Sequence, residues 1–253
     1  MKIILSIVIA LSGLALTACG TTSASSNESS SSTADTYVQL GLGYLQEGQR
    51  DQARFNLLKA VETDPRSPDA HNAIALLYQS EGEIKLAEDH FKRALSSDAD
   101  FNQARYNYAR MLLGEGRPDD AEQEYLILVD DVNYRLRGQS FFGLGMARKE
   151  QENHEGAKEA FMRSYQRDPR LTTSLLELAD IAILEEDYVS AKELLDRFEA
   201  GTEATPRSLK LGIDLAQRFS DGDAEASYSM SLRNRFPDSR EAREHILATQ
   251  SGE

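Results

Sequence analysis

The chain has 253 residues, with 28 Lys+Arg against 42 Asp+Glu and a formal charge of −14, a balance that argues against a polyanion such as DNA or RNA as partner. Hydrophobic residues at 40% and charged residues at 28% are ordinary for a globular chain and exclude bulk disorder. One cysteine, no tryptophan and four scattered histidines exclude an intramolecular disulfide or a cysteine-rich metal site and leave little material for catalysis.

The chain begins MKIILSIVIALSGLALTACG, with one positive charge at Lys2, an apolar run from Ile3 to Leu16 and small residues at its end. This is the layout of a secretory signal peptide over residues 1–18, too short and wrongly flanked to span a membrane. The run ends in Leu16-Thr17-Ala18-Cys19, which resembles the bacterial lipobox. The resemblance implies cleavage before Cys19 and acylation of its thiol, while Gly20 in second place implies export to the outer membrane. A buried, inert Cys19 is the alternative, and the Ser-rich surroundings speak against it. At roughly 0.8 kcal/mol per buried methylene, two or three acyl chains make an anchor close to permanent.

From Gly20 to Asp35 the sequence GTTSASSNESSSSTAD holds no large apolar residue, so residues 19–33 are expected to form a flexible tether. About 16 such residues span on the order of 22 Å.

Beyond it the chain repeats itself every 34 residues. Tyr37, Leu40, Gly41, Tyr44, Ala53, Leu57, Ala60 and Pro65 stand at offsets 4, 7, 8, 11, 20, 24, 27 and 32 counted from Ala34, a pattern that resembles the tetratricopeptide (TPR) repeat. The expected fold is an all-α TPR superhelix of about six helix-turn-helix units at 34–67, 68–101, 102–137, 138–171, 172–205 and 206–237. The third unit carries two extra residues near its end. In the sixth, Leu211 and Gly212 take the central pair of helix A, and the small residue of helix B is Ala224 or Ala226. Residues 238–253 form a cap, with Ala242, Ile246 and Leu247 on one helical face. Small residues at offsets 8, 20 and 27 let the two helices of a unit approach closely. Gly48, Gly82, Gly116 and Asn153 mark the turns between A and B helices, and Pro65 and Pro169 stop B helices.

Chemistry is scarce. Gly41-Leu42-Gly43 lies within a predicted helix with no strand before it, so packing explains these glycines better than phosphate binding. His71, His90, His154 and His245 show no ligand spacing and no shared helical face, and are read as surface or turn residues. No G-x-S-x-G elbow exists, and the acidic clusters Asp119-Asp120 and Glu185-Glu186-Asp187 fall at solvated helix ends. No catalytic residue, metal, cofactor or small-molecule substrate is expected. What remains is protein binding by the concave face that the A helices line. Its candidate residues are Val38, Leu42 and Leu45 in the first unit, Asn72 and Leu76 in the second, and Tyr106 and Arg110 in the third, followed by Phe142, Met146, Leu176 and Ile183. So apolar a surface suits a hydrophobic segment of a partner, unless the tether or a neighbouring helix covers it. The basic clamp by which chaperone-binding TPR domains hold a carboxylate is missing, with Val38 and Leu42 at two of its positions.

The block YVQLGLGYLQEGQRDQA at Tyr37–Ala53, the segments Arg207–Ile213 and Arg235–Ser239, the lipobox and the six-unit length together resemble the PilW/PilF family of type IV pilus biogenesis lipoproteins. That resemblance implies a pilotin: a non-enzymatic adaptor, lipid-anchored to the outer membrane and facing the periplasm, that binds subunits of the PilQ-like pilus secretin and promotes their localisation and multimer assembly. A different outer-membrane TPR lipoprotein, one that scaffolds peptidoglycan hydrolases or delivers substrates to a periplasmic protease, would share fold, anchor and compartment.

Overall fold

The computed structural model describes residues 24–251, in which thirteen α-helices and no strand occur. The leader expected at 1–18, the expected lipidation site Cys19 and the first expected tether residues, 19–23, lie outside the described residues. The helices alternate as A and B members of six units: α1 (Ala24–Gln46) with α2 (Arg50–Thr63), α3 (Pro68–Ser80) with α4 (Ile84–Ser97), α5 (Asn102–Gly114) with α6 (Pro118–Asp130), α7 (Arg137–Glu150) with α8 (His154–Arg167), α9 (Thr173–Leu184) with α10 (Tyr188–Gly201), and α11 (Pro206–Arg218) with α12 (Gly222–Arg235). A last helix, α13 (Arg240–Ser251), follows. Each A helix packs on its own B helix and on the next A helix through the first four units, the nearest-neighbour logic of a solenoid.

The turn inside each unit is built the same way. One residue takes a left-handed backbone: Gly48, Gly82, Gly116, Glu152, Glu186 and Ser220, with φ between 56 and 77°. The next N–H then reaches back to the A helix, from Gln49 to the Tyr44 carbonyl at 2.8 Å and, in the sixth unit, from Asp221 to the Ala216 carbonyl at 2.9 Å. This is the Schellman closure that satisfies a helix's last carbonyls. Asn153, expected at the turn itself, is instead the N-cap of α8, its side chain accepting from the Gly156 N–H at 3.0 Å, and Glu152 bears the left-handed backbone. The turn bond of Asn153 to the Arg148 carbonyl, 2.9 Å, helps offset the strain of a non-glycine residue there, about 1–2 kcal/mol.

Small residues let helices touch. A Cβ on Gly41 would stand 2.5 Å from Leu57, one on Gly145 would stand 2.6 Å from Phe161, and one on Gly143 would stand 2.2 Å from the Tyr125 ring. All three partners are B-helix side chains with almost no exposure. In the sixth unit neither Ala224 nor Ala226 is buried. Gly212 meets Tyr228, and α12 buries Ser229 and Leu232 instead. The N-cap Asp221 places those two residues, rather than the alanines, on the inner face. On α13 Ala242 and His245 are buried against the end of the stack while Leu247 is 65% exposed, so the cap's packed face passes through His245 and not Leu247.

The segment expected to be flexible is helical from Ala24, continuous with the first A helix. No Gly or Pro interrupts residues 24–40. Once α1 is fixed by packing on α2, each further residue adds a helical hydrogen bond at low cost. Thr36 Oγ1 donates to the Ser32 carbonyl across this junction at 3.0 Å.

Candidate functional site: the concave face

Neighbouring A helices α1, α3, α5 and α7 form a continuous surface, and the residues proposed from sequence divide there into two groups. Leu42 and Leu45 on α1, Leu76 on α3 and Tyr106 on α5 are half-buried, and Arg110 is exposed. These remain available to a partner. Val38 is not: it is 3% exposed and belongs to the core with Leu57, Ala73, Ile74 and Leu77. A valine at this point of α1 faces the seam where α3 docks rather than the open groove. Asn72 is also buried, its Oδ1 accepting from Asn107 Nδ2 at 3.0 Å, so it ties α3 to α5. Leu176 is buried in the core of the fifth unit.

The third and fourth units enclose a hollow of ≈ 340 Å³ lined by Tyr106, Arg110, Leu113, Tyr125, Phe142 and Met146. Tyr125 reaches its floor from the B helix α6 because Gly143 has no side chain to block it. Tyr106 meets Tyr125 edge-on with ring centroids 6.3 Å apart, and the Arg110 guanidinium lies 5.8 Å over the Tyr106 ring. Burial raises the pKa of both tyrosines, so they stay neutral donors at physiological pH. Arg110 has its charge over an aromatic face and its donors free to turn outward, an arrangement that suits an apolar segment carrying an acceptor.

Beyond Met146 the surface changes character. Glu177 on α9, 5% exposed, accepts from Lys149 Nζ of α7 and Arg207 Nη1 of α11, each at 2.6 Å. Asp180 pairs with Arg207 and lies 3.6 Å from Lys149. Burial alone would raise the Glu177 pKa, but the hydrogen bonds from Arg207 and Lys149 outweigh it and hold the carboxyl below its ordinary value. Sequence reasoning missed this lattice. Its signal was present, since Lys149 and Asp180 occupy offsets 12 and 9 of their units, the offsets of Leu45 and Leu42 in the first.

The histidines also differ from their sequence reading. His71 and His245 are buried, and His71 Nδ1 stands 2.9 Å from His90 Nδ1, with His71 Nε2 3.1 Å from the Pro65 carbonyl. His71 sits at offset 4, the large aromatic site of the repeat, which faces the B helix and therefore α4. Among the described residues no cluster of three or more His, Cys, Asp or Glu could hold a metal ion, and no helix is long and apolar enough to cross a membrane.

Comparison with known proteins places this architecture. Tetratricopeptide repeat family models match residues 38–100, 72–134 and 138–171. The type IV pilus assembly protein PilF of Pseudomonas aeruginosa is 40% identical over 210 residues, covering 83% of each chain. A solved structure from the functional characterisation of P. aeruginosa PilF superposes with a TM-score of 0.77 at 38% identity, over 87% of this chain and 99% of that one. The crystal structure of PilW, described as a widely conserved type IV pilus biogenesis factor, gives a TM-score of 0.75 over 84% of this chain and 98% of that one. At 22% identity this second likeness concerns the fold.

Proposed function

Since the chain belongs to the PilF and PilW family of type IV pilus biogenesis TPR proteins, we propose that it is a non-enzymatic adaptor, acylated at Cys19 and held at the outer membrane facing the periplasm. It binds subunits of the pilus secretin along its concave face and promotes their outer-membrane localisation and multimer assembly. The observation that carries the binding surface is the run of partly exposed apolar side chains Leu42, Leu45, Leu76, Tyr106, Phe142 and Met146 over four consecutive A helices. A hydrophobic segment of a partner gains by leaving water there, and the fixed helices demand little reordering in return. The acyl anchor supplies the membrane address. Joining address and groove on one chain raises the effective concentration of secretin at the membrane without any catalytic step.

The test pairs binding with assembly. Leu76→Asp, at a partly exposed site, is expected to leave helicity intact, abolish capture of secretin by the purified chain and remove heat-resistant secretin multimers from the outer membrane. Val38→Asp puts an unpaired charge into the core and is expected to unfold the first unit. Cys19→Ala is expected to reduce or mislocalise the multimers while leaving capture in solution unchanged. Unchanged multimers in cells lacking the protein would overturn the pilotin reading, and normal capture by a folded Leu76→Asp chain would move the binding surface elsewhere.

A further inference from the structure

One patch on this acidic chain concentrates arginine. The A helices of successive units run in one direction, so the loops that join each B helix to the next A helix lie on the edge where A helices begin. From that edge α1 extends back to Ala24, ten residues before Ala34, or about 15 Å at ~1.5 Å per residue, towards Cys19. Loop 64–67 carries Asp64 and Arg66, loop 98–101 carries Asp98 and Asp100, and loop 202–205 carries Glu203. Loops 131–136, with Asp131 and Arg135, and 168–172, with Asp168 and Arg170, gain Arg137 and Arg167 from the adjoining helix ends. They flank a hollow of ≈ 230 Å³ lined by Arg135, Arg137, Arg167 and Arg170 against the single acid Asp168.

The local bonding leaves two of the four arginines without a carboxylate or carbonyl partner among the described residues. Arg170 holds Asp168 with two hydrogen bonds, 2.8 and 2.9 Å. Arg137 is committed to the fold, its Nε donating to the Val129 carbonyl at 2.7 Å and its guanidinium lying 5.6 Å over the Phe141 ring. Arg135 and Arg167 are exposed and, among the described residues, pair with no carboxylate. Beside them Val132, in the linker that holds the two extra residues of the third unit, is 68% exposed. Guanidinium forks match phosphate oxygens two at a time, and an apolar tip among arginines is suited to the boundary between headgroups and acyl chains.

We propose that this arginine patch docks on the phosphate headgroups of anionic phospholipid, with Val132 entering the interface, and so gives the protein a second contact with the membrane that holds its N-terminal anchor. The inference takes from the preceding reading only that the anchor lies at the N-terminal end. An anionic surface repels the acidic remainder of the chain, Asp98, Asp100 and Glu203 of the same edge included, so the arginine patch is the part that meets the lipid.

Among the described residues the buried side chains lie between Ala34 and His245, so residues 19–253 retain that core, and the single thiol of Cys19 allows coupling to a maleimide-headgroup lipid. Hydrogen exchange is then read on vesicles of phosphatidylcholine alone or with added phosphatidylglycerol. Amides at 131–139 and 168–172 are expected to exchange more slowly on the anionic vesicles than on the neutral ones, with α1–α4 unchanged. Arg135→Gln combined with Arg167→Gln is expected to weaken this docking about 25-fold, roughly fivefold for each arginine, with the slow amides of α7 and α8 retained as the check on folding. Equal exchange on both vesicles, undiminished slowing in the double variant, or the same slowing produced by inorganic phosphate in solution would each overturn the proposal. Because the anchor is supplied chemically, such a failure leaves natural acylation of Cys19 to its own test, metabolic labelling with a fatty acid.

Discussion

Replacing Glu177 by Gln tests whether the ionic lattice is what joins the last three A helices. The carboxylate is buried and accepts two short bonds, from Lys149 and Arg207 at 2.6 Å each. Hydrogen bonds to charged groups contribute about 1.5–3 kcal/mol apiece. Glutamine can keep one acceptor but no charge. The cation side chains retain 28 and 38% exposure and Asp180 still neutralises part of them, so solvent screening discounts the loss to about 2 kcal/mol. For a chain of this size that is a fall in Tm of about 4–8 °C. In a solenoid the damage stays local: amides of α9 and α11 are expected to exchange faster while those of α1–α4 do not change. Since the folded-state pKa of Glu177 is lowered, its stabilisation is present above the unfolded carboxyl value of about 4.3 and is lost as the pH falls through the folded value. The gap in urea midpoint between parent and variant therefore narrows below about pH 4. A variant within about 0.5 kcal/mol of the parent at pH 7, or one that loosens α1–α4 equally, would refute the reasoning.

Two glycines in helix interiors form a matched pair. Gly143→Ala drives a methyl to 2.2 Å from the Tyr125 ring and is expected to cost about 1–3 kcal/mol in urea unfolding, whereas Gly43→Ala meets nothing within 4 Å and is expected to gain up to about 1 kcal/mol through helix propensity; equal effects would deny the close approach of α6 and α7. The histidine pair predicts acid sensitivity. Burial first, then the charges of His71 and Arg93, lowers the pKa of His90, so its share of stability is full above the unfolded value of about 6.5 and declines as the pH falls through the folded value. Urea midpoints followed from pH 7.5 to 5.5 should decline less in His90→Gln than in the parent, and parallel declines would sink this account.

The fold was legible because TPR packing depends on residue size at fixed offsets, and size is written in the sequence: Gly41 against Leu57 and Gly145 against Phe161 follow directly. Turn geometry was legible only where glycine marked it. In the last three units Glu152, Glu186 and Ser220 adopt the same left-handed backbone, because the hydrogen bonds of the turn, not the residue type, enforce it. The concave residues were harder. Offsets identify which side chains point towards the groove but not how far the next A helix leans over them, which is why Leu42 and Val38, four residues apart on α1, differ in burial. Partners across units were invisible for the same reason. Glu177 looks like an ordinary surface acid until α7 and α11 bring Lys149 and Arg207 to it, and His71 meets His90 only once α3 is laid on α4.

The change of character along the concave face constrains where a partner can gain affinity. In the last three units Lys149, Glu177, Asp180 and Arg207 already satisfy one another, so a charged ligand laid there would have to break bonds of equal quality to form its own, with little net gain. In the first four units Leu42, Leu45, Leu76, Tyr106 and Phe142 are partly exposed, and covering them removes apolar surface from water at roughly 25 cal/mol per Å². A segment that fills the ≈ 340 Å³ hollow and runs back towards α1 would therefore draw its affinity from the N-terminal half, while the ionic half keeps the A helices in register beneath it. On the reading proposed above, the secretin segment is hydrophobic and engages the half of the array nearer the membrane anchor.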